Sequence, residues 1–213
     1  NPDGTLASEV PEILEIPIPM ILNKPADLTG TKSMLLAMAN TAKSLQTLML
    51  MDPENYTEEF DEYADYLVPR VKMDSLDENR ALIEKSRAVE IEYVDGVEAC
   101  FDKVRDWKSG IVIMVGAPLD DKAADRAETL TRADVDTVHF YGSYDGKEVG
   151  VENPRYLRDA IRTVHLRLVD QCIRQKVNLL FTGGIALAEH MAKAIICGAD
   201  GMWKGPVIEA HVR

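Results

Sequence analysis

Eight short apolar runs alternate with segments of helical character, and this alternation limits the possible folds more than any other feature of the chain. Each run has the length of a strand, and short runs that are almost wholly apolar are typical of strands buried on both faces. Strands that alternate with helices predict parallel pairing, because parallel strands need a crossover connection. Eight such units favour a closed (β/α)8 barrel, or TIM barrel, over an open doubly wound sheet, although the pattern alone permits both. The runs are residues 16–22, 46–51, 66–73, 88–94, 110–116, 135–141, 177–181 and 199–203.

The 213 residues suit one domain with a sizeable core. We predict a single barrel domain over residues 16–213, preceded by an N-terminal arm over residues 1–15. The length is near the short limit for this fold, so we expect short loops. Between the sixth and seventh runs, Asn153 and Pro154 predict the start of the longest helix, which ends near Gln175. We expect the helix that closes such a barrel after the eighth strand to be truncated or absent, since only residues 206–213 follow that strand; another protein chain could then supply it.

The balance of charge limits the classes of partner. The chain has a formal net charge of −12 and a pI near 4.8, which argues against nucleic acid or an anionic membrane surface. Its apolar runs fall well short of the roughly 18 residues that a membrane helix needs. Cys100, Cys172 and Cys197 are widely spaced and lack the patterns of a metal site. We therefore predict reduced thiols in a cytoplasmic protein, with no metal ion or iron–sulfur cluster bound within this chain.

The segment over residues 177–205 predicts a phosphate site. It reads as strand, glycine pair, helix, glycine stop and short strand. Glycines let backbone N–H groups approach a ligand closely, and a helix N-terminus favours negative charge. In (β/α)8 barrels, phosphate commonly binds after strands seven and eight. The alternative is a tight strand-to-helix turn that binds nothing. The candidate cofactor-binding residues are Thr182, Gly183 and Gly184 after strand seven, Lys204 and Gly205 after strand eight, and Gly142 after strand six.

Two residue types inside predicted strands are candidates for catalysis. His139 lies in strand six and can act in proton transfer if it faces the barrel interior; the alternative is a packing role. Glu90 and Glu92 alternate in strand four, so both side chains point to the same side. Inside the barrel they would perturb each other's pKa. Facing the helices, they would instead pair with basic residues such as Lys72 or Arg87. We take His139 and Glu92 as the candidate catalytic residues.

Several segments resemble one known family. GGIALAEHMAKAIICGADG, over residues 183–201, is similar to the segment that follows strand seven in the FMN-binding (β/α)8 domain of glutamate synthases. RDAIRTVHLRLVDQCIRQ, over residues 158–175, resembles the helix that precedes it. AVEIEYVDG and DTVHFYGSYDG resemble the family's fourth and sixth strands. The resemblance covers roughly residues 18–205 and is specific over the final third.

The resemblance implies FMN over the barrel mouth, with its phosphate near Gly183, Gly184 and Gly205. It also implies an oxidoreductase of amino-acid metabolism that reductively aminates 2-oxoglutarate, with electron-donor or glutaminase-type chains or domains as partners. The sequence departs from the family at strand five, where Met114 takes the place of a lysine that serves the flavin ring. The alternative is a flavin-free barrel that acts as a structural or binding subunit of a larger redox complex. A further alternative is a barrel enzyme that binds a phosphorylated ligand without flavin.

Overall fold

The computed structural model describes residues 14–23, 31–185 and 187–204. Within these residues, eight parallel strands pair in sequential order and form one closed barrel. This confirms the predicted (β/α)8 fold. The strands are β1 Met20–Leu22, β2 Met49–Met51, β3 Leu67–Val71, β4 Ala88–Glu92, β5 Val112–Pro118, β6 Thr137–Tyr141, β7 Asn178–Thr182 and β8 Gly201–Lys204.

Each predicted run overlaps one strand, and several strands, the first among them, are shorter than their runs. β1 begins only after Pro17 and Pro19, because proline has no N–H group to donate to a neighbouring strand. The carbonyl of Pro19 still accepts a hydrogen bond from the N–H of Met202 at 2.9 Å. The barrel therefore closes between β1 and β8 directly after the two prolines.

Helical segments connect the strands on the outside of the barrel. None of the described helices is long and apolar enough to cross a membrane. Among the described residues, the α-helices are α1 Lys32–Leu45, α2 Arg80–Lys85, α3 Phe101–Trp107, α4 Ala123–Arg132, α5 Leu157–Asp170 and α6 Ala188–Cys197. The 3-10 segments are Pro53–Asn55, Glu58–Tyr66, Met73–Ser75, Val97–Cys100 and Arg174–Lys176.

The predicted bounds of the longest helix, Pro154 to about Gln175, were wrong at both ends, because α5 covers Leu157–Asp170. α5 begins three residues after Pro154, because the chain before it is held against the loop that follows β6. There, Lys147 and Tyr156 form an antiparallel bridge, and the N–H of Leu157 donates to the carbonyl of Gly146 at 2.8 Å. At the other end, Cys172 adopts a left-handed conformation with φ of 55°, which cannot continue an α-helix.

Apolar side chains pack on both sides of the barrel wall. Between the wall and the helices, Phe140 and Phe181 stack with ring centroids 5.7 Å apart. The barrel interior contains a second cluster, as expected for this fold. The interior cluster consists of Ile21, Leu48, Leu50, Val68, Ala88, Val112, Met114 and Leu180.

A cavity of about 480 Å³ opens at the amino-terminal end of the barrel. Its walls include the interior residues Ile21, Val112 and Leu180, and its rim includes Asp136 and Asp200. Both rim carboxylates accept backbone N–H groups at 2.7 Å, so they help to fix the strands. This cavity lies at the opposite end from the loops that carry function in (β/α)8 barrels.

Candidate functional site

Polar side chains from four strands meet inside the carboxyl-terminal half of the barrel. Arg70 comes from β3, Glu90 from β4, His139 from β6 and Thr182 from β7. Side chains alternate along a strand, so Glu90 points to the same side as the interior residue Ala88. The register between β3 and β4 places Arg70 directly beside Glu90. Because all strands are parallel, their carboxyl ends bring these groups together at one end of the barrel.

The four side chains form a continuous hydrogen-bonded chain, which we call the barrel-mouth network. Arg70 Nε donates to Glu90 Oε1 at 2.9 Å. The other carboxylate oxygen, Oε2, lies 2.7 Å from His139 Nδ1, and His139 Nε2 lies 2.6 Å from Thr182 Oγ1. An ionised carboxylate can only accept, so His139 Nδ1 must carry the proton that faces Glu90. In the neutral imidazole, Nε2 is then the acceptor for the Thr182 hydroxyl.

Glu90 is the central charge of this network. Its residue is only 1% exposed, and the His139 side chain is equally buried. Burial raises the pKa of the Glu90 carboxyl, but its interactions with His139 and Arg70 lower it by more, so the net pKa lies below its usual value. A buried carboxylate is costly unless it is paired. We therefore assign Glu90 as ionised and held between two partners.

Gly116 on β5 provides the space for the Glu90 carboxylate. A Cβ atom at position 116 would lie 2.9 Å from Glu90 Oε1 and 3.0 Å from Glu90 Cδ, closer than such atoms normally approach. Gly116 is also the register partner of His139 on β6. The glycine thus leaves room for the carboxylate next to the strand that carries its histidine partner.

Tyr141 and Glu92 lie where the barrel opens. Tyr141 is half-buried, whereas Glu92 is exposed and forms no hydrogen bond or salt bridge with any described residue. Burial raises the pKa of the Tyr141 hydroxyl, and the negative charges of Glu92 and Glu90 raise it further. The two glutamates therefore lie at different depths in the barrel. Glu90 belongs to the network, whereas the sequence candidate Glu92 lies outside it and acts only through its charge on the neighbouring Tyr141.

The predicted phosphate turn is packed closely against the loop after β6. Gly183 and Gly184 have φ of 123° and 60°, a region that favours glycine. A Cβ at Gly184 would lie 2.7 Å from the backbone nitrogen of Gly146, and a Cβ at Gly142 would lie 2.8 Å from the carbonyl oxygen of Lys147. These close approaches account for the glycines by packing alone. The sequence candidate Thr182 contacts His139, as described above.

The helix after the glycine pair is separated from it in sequence. α6 starts at Ala188, with Leu187 as its N-cap residue, so the glycine turn does not lead directly into the helix N-terminus. The sequence interpretation takes the glycine pair to lead into a helix N-terminus, whereas the first helical residue, Ala188, is four residues beyond Gly184. Lys204 ends β8, where the backbone places it at the predicted end of the barrel. Gly205 lies outside the described residues.

Met114 provides a direct test of whether a flavin ring fits at strand five. Its residue is only 3% exposed and belongs to the apolar cluster inside the barrel. Its register partners are Glu90 on one side and Thr137 on the other, two residues before the level of Gly116. A buried thioether can supply neither the charge nor the hydrogen-bond donor that stabilises a reduced flavin. The residue at this position therefore does not fit the flavin ring.

Sequence reasoning found His139 and Thr182 but missed Arg70. A signal was present, because Arg70 is the one charged residue in the apolar run LVPRV, and the neighbouring run AVEIE carries the acidic residue Glu90 at its centre. A charge inside an apolar strand requires a partner of opposite charge, and here Arg70 and Glu90 form a salt bridge with each other.

No family model matches this chain, and no curated protein matches it.

Proposed function

We propose that the carboxyl-terminal mouth of this barrel is the active site of an enzyme that applies acid–base catalysis to a small molecule. The observation that carries the proposal is the buried series of hydrogen bonds that joins the side chains of Glu90, His139 and Thr182. An imidazole oriented by a carboxylate and bonded to a hydroxyl is the arrangement in which histidine exchanges protons efficiently. Active sites of (β/α)8 enzymes lie at this end of the barrel.

Thr182, His139 and Glu90 each have a distinct role in this proton transfer. The substrate's proton moves to Thr182 Oγ1 while the hydroxyl proton of Thr182 moves to His139 Nε2. Glu90 remains ionised, holds the Nδ1 proton in place and stabilises the imidazolium that forms. The reverse transfer returns the proton to the substrate, so the network ends in its starting state.

Solvent-exchange measurements test this proposal. The protein is incubated in D₂O with amino acids, 2-hydroxy acids, 2-oxo acids and sugar phosphates, and proton NMR follows the loss of C–H signals. We expect at least one compound to exchange faster than in buffer alone. His139→Gln should slow that exchange by about 100- to 10,000-fold, the range of a positioned acid–base group.

Two further variants make the assay specific. Thr182→Ser keeps the hydroxyl and should keep most of the exchange, whereas Thr182→Val should lose it. His190→Gln is the matched control, because His190 lies on α6 and outside the network. Exchange at the wild-type rate in folded His139→Gln would refute the proposal, as would a wild-type protein that accelerates exchange of no compound in the panel.

A second candidate function is the FMN-dependent reductive amination of 2-oxoglutarate that the glutamate synthase resemblance implies. Two observations support it: the similarity of residues 183–201, and the position of Gly183 and Gly184 at the carboxyl end of β7, where barrels commonly bind phosphate. Met114 does not fit the ring end, so we derive no step through the flavin. The flavin-free alternative is a structural or binding subunit that works with other protein chains.

Flavin content separates these two alternatives. Protein that is purified with stoichiometric FMN supports the oxidoreductase, and Gly184→Glu should then abolish FMN binding because a side chain cannot enter this turn. A colourless protein whose melting temperature does not change with added FMN would remove the flavin candidate and favour the flavin-free subunit.

A further inference from the structure

Tyr141 lies next to the barrel-mouth network but is not part of it. It is two residues after His139 on β6, and its register partner on β7 is Thr182. The rings of His139 and Tyr141 are 6.1 Å apart between centroids and inclined by 68°. Residues of equal parity on a strand share a side. The phenol therefore stands on the inner side of the barrel wall, beside the two groups that exchange the proton.

The Tyr141 hydroxyl is available as a donor. No described residue forms a hydrogen bond with it, although the side chain is half-buried and most such hydroxyls have a partner. The charges that act on it are the carboxylates of Glu92 and Glu90 and the guanidinium groups of Arg70 and Arg126. Burial, followed by the two carboxylates, raises its pKa, so the phenol keeps its proton at neutral pH.

We propose that Tyr141 donates a hydrogen bond to the oxyanion that forms on a carbonyl oxygen of the substrate, so that the substrate is a small aldehyde or ketone with a C–H group next to its carbonyl. This proposal rests on the proposed acid–base function of His139 and Thr182. A neutral donor beside a base is what enolisation requires: one group removes the proton while the other stabilises the negative charge that results.

The step conserves atoms and electrons. The proton on the carbon next to the carbonyl passes to Thr182, and the Thr182 proton passes to His139. The C–H electron pair forms the new carbon–carbon double bond, and the carbonyl π electrons move to the oxygen, which accepts the hydrogen bond from Tyr141. Return of a proton to carbon reverses the step, so no oxidant, reductant or second substrate is consumed.

Tyr141→Phe removes only the donor and leaves the ring. In the D₂O assay, it should slow exchange of the carbonyl compounds by about 100- to 1,000-fold, as loss of one oxyanion donor does. Tyr144→Phe is the matched control, because Tyr144 lies in the loop after β6 and is 82% exposed. A second readout is equilibrium binding of 4-nitrophenolate, an aromatic oxyanion whose absorbance reports its ionisation. Tyr141→Phe should weaken this binding at least tenfold, and Tyr144→Phe should not change it.

The outcomes distinguish this inference from the function on which it rests. If His139→Gln abolishes exchange but Tyr141→Phe exchanges and binds 4-nitrophenolate as the wild type does, Tyr141 has no such role and the acid–base function stands. Exchange confined to the amino acids and 2-hydroxy acids, which have no aldehyde or ketone group, would also overturn the inference. If only the phenolate binding depends on Tyr141 and no compound exchanges, the oxyanion subsite is supported and the acid–base function fails.

Discussion

The Glu90 carboxylate occupies space that a glycine at position 116 leaves open. We expect Gly116→Ala to push this carboxylate away from Arg70 and His139, because the new Cβ would lie 2.9 Å from Glu90 Oε1. Overpacking of this kind typically lowers the free energy of unfolding by about 1–3 kcal/mol. Urea denaturation measures the loss, and the ¹⁵N shifts of the His139 ring report the altered hydrogen bond.

A compensating variant provides the control for Gly116→Ala. Glu90→Asp shortens the acidic side chain, so the same alanine substitution should cost less stability in that background. Equal losses in both backgrounds, or a loss below about 0.5 kcal/mol in the wild type, would show that position 116 does not set the place of Glu90.

At the scale of single residues, candidate functional side chains were easier to predict from the sequence than the hydrogen bonds that they form. His139 stands out as a histidine inside a strand-like run, and its possible inward orientation follows from strand alternation. Its bond to Glu90 does not follow, because the two residues come from strands separated by β5. That contact depends on the stagger of the closed barrel and on a glycine at position 116. Neither is visible in local patterns of sequence.

At the scale of elements, the turn after β7 and the loop after β6 are packed as one unit. Gly184→Ala adds a Cβ that meets the backbone of Gly146 and also strains a residue with φ of 60°. Gly150→Ala is the matched control, because Gly150 has φ of 68° but nothing within 4 Å of its added Cβ. We expect Gly150→Ala to lose about 1 kcal/mol from strain alone and Gly184→Ala to lose clearly more. Thermal unfolding in phosphate-free buffer measures both.

This comparison also tests why the glycine pair is present. A larger loss for Gly184→Ala in the absence of any anion would mean that packing of the two loops is sufficient to require glycine. Similar losses for the two variants would contradict the close packing and leave ligand binding as the reason for glycine at position 184.

Element boundaries were the least predictable part of the fold. Pro154 is a good first residue for a helix by its backbone geometry, yet α5 begins at Leu157. The delay comes from the bridge between Lys147 and Tyr156, a contact between two parts of one loop. Local preference predicted the right element and the wrong start, because the bridge with Lys147 holds Tyr156 in an extended conformation directly before Leu157.

At the scale of the whole molecule, the network makes stability depend on pH. Burial raises the pKa of Glu90 and the contacts with His139 and Arg70 lower it by more, so its folded pKa is below the unfolded value of about 4.3. Glu90 therefore contributes its full stabilisation above that unfolded value and loses it as pH falls through the folded pKa. We expect wild type to be more stable than Glu90→Gln at pH 7, with the difference shrinking below about pH 4.3.

Urea denaturation of both proteins between pH 7 and pH 3 measures this difference. Glu62→Gln is a suitable control, because Glu62 lies on the surface and forms an exposed salt bridge with Lys43. Exposed pairs contribute little, so this variant should follow the wild type closely. A constant difference between wild type and Glu90→Gln over the whole range would contradict the assignment of Glu90 as an ionised, paired carboxylate.

The overall architecture was the most predictable feature. Eight apolar runs with intervening helices indicate parallel pairing without any knowledge of contacts, because physical rules restrict how such units connect. The barrel-mouth network was less predictable, because the functional groups of a barrel come from several strands that are far apart in sequence. Its members come from β3, β4, β6 and β7, so only the closed ring brings them together.

Closure of that ring also has a consequence for how the barrel is made. β1 pairs with β8, as in the register pairs Met20–Met202 and Leu22–Lys204, which join the two ends of the described chain. Contacts between residues so far apart in sequence form slowly. During synthesis, β1 must wait with an open edge until the ribosome has delivered β8, and an open edge can pair with another chain. The speed of translation, rather than the stability of the finished barrel, then sets how long the nascent protein is exposed to aggregation.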